Sequence, residues 1–311
     1  MIEIENLTKQ YGSATVVDRV SITIAKGSIT VIVGTSGSGK STLLRMINRL
    51  VEPSAGRVAI DGKDTTSEPP HLLRRGIGYA IQGHGLFPHR SVAENIATVP
   101  RLLGWNAART RARVEELLRI FQLDPGEFAG KFPYELSGGQ QQRVGVARAL
   151  AAEPAVLLMD EPFGALDPII RTKAQDDLIE IQRRFGTTIV LVTHDIDEAF
   201  RLGDRVAVMS QGQVLQYDRP AMLLTHPADA FISRLTGTGD RAMKLLSLTT
   251  AGAAAEAGAA SGPKVAAAAT LREVLSELVW SGAPEATVVD ADGMARGRLT
   301  LAGVLAHGKP G

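Results

Sequence analysis

Short apolar runs alternate with longer segments of helical periodicity along most of this chain. The runs are rich in β-branched residues and span Ile22 to Ile24, Ile29 to Val33, Val156 to Met159, Thr188 to Val192 and Val206 to Met209. Continuous apolar strands of this kind are typical of a parallel sheet that helices cover on both faces. The pattern therefore predicts an α/β core.

Helical spacing is clearest in two places. Directly after Lys40, one apolar face recurs at Leu43, Leu44, Ile47 and Leu50. From about residue 88 to 152 the β-rich pattern gives way to helical periodicity, with an apolar stripe at Val114, Leu117, Leu118 and Phe121. We interpret this segment as an inserted helical subdomain. The arginines beside its stripe are expected to form a solvated face or to bind a partner: Arg109, Arg111, Arg113 and Arg119.

The composition changes near the C-terminus. Residues 239–264 are rich in alanine and glycine and have few large apolar residues, which favours a mobile linker. Helical spacing then returns at Leu271, Val274, Leu275, Leu278 and Val279. Two strand-like segments, 286–289 and 298–300, flank an Asp-Ala-Asp-Gly turn. We therefore predict a large domain over residues 1–238 and a small α+β module over residues 265–311.

Charge and composition narrow the possible partners. The 311 residues carry a formal net charge of +1, so the chain has no global basic field for binding nucleic acid. It contains no cysteine, which is compatible with a reducing compartment. Its start lacks the layout of a secretory signal, and its apolar stretches are far shorter than the roughly 20 residues that span a bilayer. We expect a cytosolic protein that reaches a membrane only through a partner.

A glycine-rich loop joins the strand at Ile29 to Val33 to the helix that follows Lys40. Glycines let the backbone amides curl around a phosphate, and the helix adds the positive end of its dipole. In such a loop the lysine bridges the β- and γ-phosphates, and the serine hydroxyl is placed to bind Mg²⁺. The sequence therefore predicts an ATP and Mg²⁺ site formed by Gly34, Thr35, Ser36, Gly37, Ser38, Gly39, Lys40, Ser41 and Thr42.

Two acidic residues follow another apolar strand. Val156 to Met159 lead into Asp160 and Glu161. Because α/β sheets bind ligands at the carboxyl ends of their strands, Asp160 is the expected carboxylate on the Mg²⁺ side. Glu161 is expected to orient or deprotonate the attacking water. Taken alone, such a pair is more often a helix cap than a catalytic site.

A third motif decides the family. Leu136 to Gln140 read Leu-Ser-Gly-Gly-Gln and lie between the phosphate loop and the acidic pair. This ordered set resembles the ATP-hydrolysing subunit of an ATP-binding-cassette (ABC) transporter, over about Met1 to Gly237. The resemblance implies a P-loop ABC cassette, with N-terminal antiparallel strands, a parallel-sheet core and an inserted helical subdomain.

Further site residues follow from the resemblance alone. It implies that Tyr11 stacks on adenine, that Gln82 senses Mg²⁺ and the attacking water, and that His194 contacts the γ-phosphate. Asp167 belongs to a loop, with Ala165 and Leu166, that crosses to a partner subunit. Locally these residues have plainer interpretations, such as a packed aromatic, a loop amide and a histidine at a helix start.

The Ser-Gly-Gly motif has its own physical logic. Ser137, Gly138, Gly139 and Gln140 open a predicted helix, so they present a hydroxyl and amides as a second anion site. The motif belongs to the inserted subdomain, so one chain cannot direct it and the phosphate loop at the same phosphate. By resemblance, two copies pair head to tail and each closes on the ATP of the other.

The narrower resemblance is to importers of quaternary amines such as glycine betaine, carnitine, choline and proline betaine. It rests on segments that include Ile77 to Gln82, Gly85 to His89 and Glu94 to Pro100. It implies permease subunits in the membrane, a solute-binding protein outside it, and a peripheral position on the cytoplasmic face of the inner membrane. Leu86 and Phe87 are either a docking surface for the permease or part of the core. The alternatives are an importer of another small solute and an ABC protein that does not transport.

The C-terminal module resembles one cystathionine-β-synthase-type (CBS) module, which has a strand, a helix, two strands and a helix. Relatives that sense ionic strength commonly carry two such modules, and this chain has one. The alternatives are therefore pairing of two tails into one regulatory unit and a packing appendage without a ligand.

Overall fold

The computed structural model describes residues 1–81, 83, 85–164, 166–258 and 260–309. Its strands are β1 Ile2–Tyr11, β2 Ala14–Ile24, β3 Ile29–Gly34, β4 Ala55–Ile60, β5 Lys63–Asp64, β6 Ile77–Ala80, β7 Val156–Asp160, β8 Thr188–Thr193, β9 Arg205–Ser210, β10 Gln213–Asp218, β11 Lys264–Ala266, β12 Glu285–Val289 and β13 Ala295–Thr300. Its helices are α1 Lys40–Ile47, α2 Pro70–Arg75, α3 Val92–Ile96, α4 Thr98–Leu102, α5 Ala107–Ile120, α6 Pro125–Phe128, α7 Gly138–Leu150, α8 Pro168–Phe185, α9 Ile196–Leu202, α10 Pro220–Thr225, α11 Ala230–Leu235, α12 Arg241–Ser247, α13 Ala251–Ala254, α14 Leu271–Ser281 and α15 Leu301–His307.

The chain forms two compact units. The first comprises Met1–Asp195 and Leu202–Tyr217, and the second comprises Ile196–Arg201 and Asp218–Gly311. Within the described ranges, no helix combines the length and the apolar character needed to cross a membrane.

The first unit is built around a parallel sheet, which confirms the predicted α/β core. Its strand order is β10-β9-β3-β8-β7-β6, and the pairs β3 with β8, β3 with β9, β7 with β8 and β6 with β7 are parallel. Every residue of β3, β7 and β8 is buried, as expected for strands that are covered on both faces. A second sheet, β2-β1-β4-β5, contains the expected antiparallel N-terminal strands.

Helix α1 ends earlier than its apolar spacing predicts. Leu43, Leu44 and Ile47 are fully buried, but Leu50 is 46% exposed and lies beyond the helix. The reason is local, since Arg49 takes a positive φ of 54° and turns the chain. Including Leu50 in the helical stripe was therefore wrong.

One of the four arginines of the helical subdomain is not on a solvated face. Arg113 is only 5% exposed, and its guanidinium donates to the carbonyls of Leu150 and Ala151 at 3.0 and 3.4 Å. It also pairs with Glu116 at 2.8 Å. A cation at the end of α7 satisfies carbonyls that have no partner within the helix and faces the negative end of its dipole. The expected solvated face thus holds for Arg109 and Arg119, whose side chains are more than half exposed, but not for Arg113.

The second unit contains the predicted order of strand, helix, two strands and helix, as β11, α14, β12, β13 and α15. Strand β12 pairs in parallel with β11 and antiparallel with β13. Leu271, Val274 and Leu278 are buried in its core, whereas Val279 is 69% exposed and does not belong to the stripe. Assignment of this module to the CBS type stays a prediction.

The alanine-rich segment 239–264 contains α12 and α13. Leu246 and Ala251 from this segment are buried in the core of the second unit. A small side chain such as that of Ala251 lets the backbone approach its neighbours closely, and its amide donates to the carbonyl of Ala269 at 2.7 Å.

We expect Gly78→Ala to lower the free energy of unfolding by about 1–3 kcal/mol, because a Cβ at this buried position of β6 would collide with the Ala149 carbonyl oxygen. Urea denaturation measures the change. The control is Gly130→Ala, where a Cβ would meet no heavy atom within 4 Å. Equal stability of the two variants would contradict the proposed collision.

Candidate functional site

The carboxyl edge of the parallel sheet brings three predicted site segments together. Gly34 ends β3, Asp160 ends β7, and His194 follows the last residue of β8. The strands are in register at this edge, where Val33 pairs with Thr193 and Asp160 with Val192. A cavity of about 520 Å³ opens there, lined by Val16, Ser36, Gly37, Ser38, Gly39, Lys40, Ser41, Thr42, Glu161 and His194.

The phosphate loop needs glycine at two positions for close approach of the backbone. A Cβ on Gly34 would collide with the Met209 carbonyl oxygen, and one on Gly39 would collide with that of Val16. Gly39 also has a φ of +98° and directly precedes α1, so only a residue without a Cβ fits there without strain. The amino end of α1 therefore opens directly onto the cavity.

Lys40 is buried at the base of this loop. Its Nζ donates to the carbonyls of Gly34 and Thr35 at 2.8 and 2.9 Å. Burial lowers the pKa of the Lys40 ammonium, and the charges of Glu161 and Asp160 oppose that shift. The loop thus holds a desolvated cation beside two carboxylates.

Ser38 provides an orphaned polar atom in the same loop. The residue is 3% exposed, and its Oγ has no hydrogen-bond partner among the described residues. Because a buried hydroxyl without a partner is costly, an acceptor such as a phosphate oxygen fits this position.

Asp160 is held by two side chains of α1. The Ser41 hydroxyl donates to Oδ1 at 2.8 Å, and Arg45 Nη2 lies 3.2 Å from Oδ2. Asp160 is 1% exposed. The pKa of Arg45 is raised, first by the hydroxyl of Tyr79 on β6 and then by Asp160. Sequence reasoning missed Arg45, although its place four residues after Ser41 puts it on the same side of the helix.

Glu161 and His194 face each other across the cavity. His194 Nδ1 lies 3.4 Å from Glu161 Oε2, and the imidazole side chain is 64% exposed. Glu161 adopts a φ of +47°, which is uncommon for a residue with a side chain, while its amide donates to the Val192 carbonyl at 2.9 Å. The strained backbone aims this carboxylate at the cavity rather than along the strand.

Other predicted residues do not line the cavity. Tyr11 ends β1, is 52% exposed and has Lys9 Nζ at 4.9 Å from its ring centre. Asp167 is the N-cap of α8 and accepts from the amides of Ile169 and Ile170 at 3.1 Å. Gln82 and Ala165 lie outside the described residues. Val16, which does line the cavity, carried no chemical signal in the sequence.

The predicted signature opens α7 as a capping box. Gln140 N donates to Ser137 Oγ at 3.3 Å, and Ser137 N donates to Gln140 Oε1 at 2.9 Å. Ser137 and Gly138 are exposed, whereas Gly139 packs against Ile170. The motif therefore displays the start of a helix at the surface.

The comparisons with known proteins agree with this geometry. The family model described as "ABC transporter" matches residues 17–164. The glycine betaine uptake system ATP-binding protein YehX of Escherichia coli is 47% identical over 300 residues, which cover 96% of this chain and 97% of YehX. The chain belongs to the ABC transporter ATP-binding subunits. It is an ATP-binding cassette.

Two further similarities fit this family. The choline transport ATP-binding protein OpuBA of Bacillus subtilis is 48% identical over 238 residues, which cover 76% of this chain and 62% of OpuBA. The solved dimeric structure of the ABC cassette MJ0796, in a post-hydrolysis state bound to ADP and Pi, is 34% identical. The match covers 71% of this chain and 99% of the MJ0796 chain, with a TM-score of 0.64.

We expect Lys40→Ala to weaken ATP binding by roughly 10- to 100-fold, because a charge-assisted contact to phosphate is lost. Titration with a fluorescent nucleotide measures the affinity. Lys63→Ala removes an exposed lysine that pairs with Glu68 at 3.2 Å and serves as the control. An unchanged affinity in Lys40→Ala would refute a phosphate contact for this lysine.

Proposed function

We propose that this chain is the ATP-hydrolysing subunit of an importer of quaternary amines of the osmoprotectant class. The observation that carries the proposal is the single cavity that joins the phosphate loop to Glu161 and His194. The substrate class is supported by YehX and OpuBA, whose names specify glycine betaine and choline. Both solutes carry a quaternary ammonium group.

Nucleotide binding uses the loop from Gly34 to Thr42. The amides at the start of α1 and the Lys40 ammonium meet the phosphates, and Lys40 exchanges its two carbonyl partners for phosphate oxygens. The unpartnered Ser38 hydroxyl supplies a further donor. Tyr11, whose ring is half exposed, offers a face for the adenine.

A divalent cation fits between Ser41 and Asp160. Ser41 Oγ and Asp160 Oδ1 lie 2.8 Å apart. Mg²⁺ prefers oxygen ligands and is commonly held by one or two protein oxygens together with substrate phosphates. The described residues contain no cluster of three or more His, Cys, Asp and Glu side chains, so phosphate and water oxygens would complete the coordination. By resemblance Gln82 joins this set. When bound, the ion neutralises charge that develops on the phosphates.

Hydrolysis is assigned to Glu161 and His194. Glu161 is 25% exposed as a side chain and faces the open cavity, where it orients the attacking water and accepts its proton. His194 lies 3.4 Å from that carboxylate, so it can contact Glu161 and a γ-phosphate oxygen together. Water for the attack enters from the open side of the cavity.

The active unit is a head-to-tail dimer of this chain. Ser137 and Gly138 are exposed at the start of α7 and do not line the cavity of their own chain. The dimeric MJ0796 cassette holds ADP and Pi, which supports pairing across nucleotide. Gly139, Gln140 and Asp167 would then lie at the same junction, with ATP favouring the closed state.

Permease subunits in the membrane receive the resulting motion, and a solute-binding protein outside supplies the solute. The chain would lie on the cytoplasmic face of the inner membrane, held by those permeases. Phe87 is 38% exposed and Leu86 is half-buried, which favours a docking surface over a place in the core. Nucleic acid is not an expected partner.

The function is tested by copurifying the chain with its permease subunits and reconstituting them with the solute-binding protein. We expect ATPase activity to rise several-fold with glycine betaine or choline. Stimulation by an unrelated solute, such as a polyamine or a sulfonate, would leave the ATPase assignment intact and overturn the substrate class. No stimulation by any solute would contradict transport.

We expect Glu161→Gln to keep ATP affinity while turnover falls by about 10²–10⁴-fold, the usual contribution of a general base. With ATP and Mg²⁺ this variant should accumulate dimers in sedimentation velocity experiments, because the nucleotide is no longer consumed. Turnover at the normal rate would remove Glu161 from the catalytic step.

The Glu161→Gln variant also allows a test of whether the signature motif takes part in the dimer, by comparing two matched helix caps. Ser137 caps α7 and Ser91 caps α3, and each forms a capping box. Added to Glu161→Gln, Ser137→Ala should abolish the ATP-dependent dimer, whereas Ser91→Ala should leave it intact. Each Ala variant should lose about 1 kcal/mol of stability from its cap. Equal dimerisation by both would show that Ser137 is only a cap.

A further inference from the structure

Ser41 and Arg45 each contact one oxygen of the Asp160 carboxylate. Ser41 Oγ holds Oδ1 at 2.8 Å, and Arg45 Nη2 holds Oδ2 at 3.2 Å. The Asp160 side chain is 2% exposed, while that of Arg45 is 48% exposed. The buried carboxylate is therefore fixed at both oxygens by one helix, and the cation reaches it from the solvent side.

Tyr79 on the neighbouring strand is a second partner of Arg45. It lies on β6 and pairs in parallel register with Leu158, two residues before Asp160 on β7, so its side chain lies on the same face of the sheet as Asp160. A hydrogen bond with the Tyr79 hydroxyl and the charge of Asp160 raise the pKa of the Arg45 guanidinium. Arg45 therefore has partners on two neighbouring strands.

Because Asp160 is buried, loss of its ion pair with Arg45 should cost more free energy than loss of a surface pair. Exposed pairs contribute little to stability, whereas removal of the Arg45 guanidinium would leave the buried Asp160 carboxylate without its cationic partner. The contact of Arg45 with the proposed site is its ion pair with Asp160 Oδ2. An effect of Arg45 on chemistry would therefore pass through this carboxylate.

We propose that Arg45 is a positioning residue for the metal-side carboxylate: by holding Oδ2 it keeps Oδ1 turned toward Ser41, where the cation would bind. The inference rests on the proposed Mg²⁺ site. It assigns a role in metal-dependent nucleotide binding to a residue outside the proposed set of nucleotide and metal ligands. Second partners of this kind commonly orient a metal ligand and raise the affinity of its site.

The test compares ATP affinity in the presence of Mg²⁺ and of EDTA. We expect Arg45→Gln to reduce the Mg²⁺-dependent gain in affinity by about tenfold, within the 10- to 100-fold range typical of such partners. Affinity in EDTA should stay nearly unchanged. Arg45→Lys should restore part of the gain, and Tyr79→Phe should lower it in the same direction but less. Binding of Mn²⁺ with ADP, followed by electron paramagnetic resonance, gives a readout without turnover.

The control is Arg57→Gln, which breaks an exposed ion pair in which Arg57 Nη2 lies 2.8 Å from Glu5 Oε1. An undiminished gain in folded Arg45→Gln would overturn the proposal, and so would an equal loss in Mg²⁺ and EDTA. If Arg45→Gln fails to fold, Tyr79→Phe decides, because a normal gain there refutes the strand-held geometry. Absence of any Mg²⁺-dependent gain in the unmodified protein would instead reject the proposed metal site.

Discussion

The parallel pairing of β3, β8 and β7 is the constraint on which the site depends. Parallel strands in register end at the same edge, so a phosphate loop, an imidazole and two carboxylates that are far apart in sequence become neighbours. Any slip of β7 against β8 by one residue would turn Asp160 to the opposite face of the sheet. The buried apolar side chains of these strands therefore determine the strand register, and with it the positions of the site residues.

Burial of charged side chains at the edge of the sheet costs desolvation free energy, which their hydrogen-bond and ion-pair partners offset. The Lys40 Nζ donates to two carbonyls, and the Asp160 carboxylate contacts Ser41 and Arg45. Each of these partners is polar or of opposite charge, which compensates the charged groups at this edge of the sheet. In the proposed site, phosphate oxygens would replace the carbonyl partners of Lys40, so nucleotide binding would not leave a buried cation without a partner.

Local patterns predicted much of this structure because they depend on short-range physics. The buried strands and the capped start of α7 follow from residues that lie next to one another. The error at Leu50 arose where a turn ended the helix, whereas Val279 lies within α14 and is exposed. Burial of Arg113 depends on carbonyls nearly 40 residues away in sequence. Such long-range contacts leave no periodic trace.

The residues around the cavity also differ in how well the sequence predicts them. Lys40, Ser41 and Asp160 carry motifs, and the sequence identifies them. Val16 reaches the cavity only through tertiary packing, and Arg45 belongs to no motif although helix α1 places it on the same side as Ser41. Roles for Tyr11, Gln82 and Asp167 came from family resemblance, since nothing near them in the chain specifies a nucleotide or a partner.

In the proposed dimer, helix α7 presents its motif to the second copy. Its carboxyl end is fastened by Arg113 through the carbonyls of Leu150 and Ala151, and Arg148 near that end donates to the Gly85 carbonyl at 2.7 Å. Its amino end, with Ser137 and Gly138, is exposed. Most residues of α7 between these ends are buried, so the helix connects the segment around Gly85 to the exposed signature through one packed element. In the proposed dimer with permease subunits, this helix would join the docking surface to the surface that meets the nucleotide.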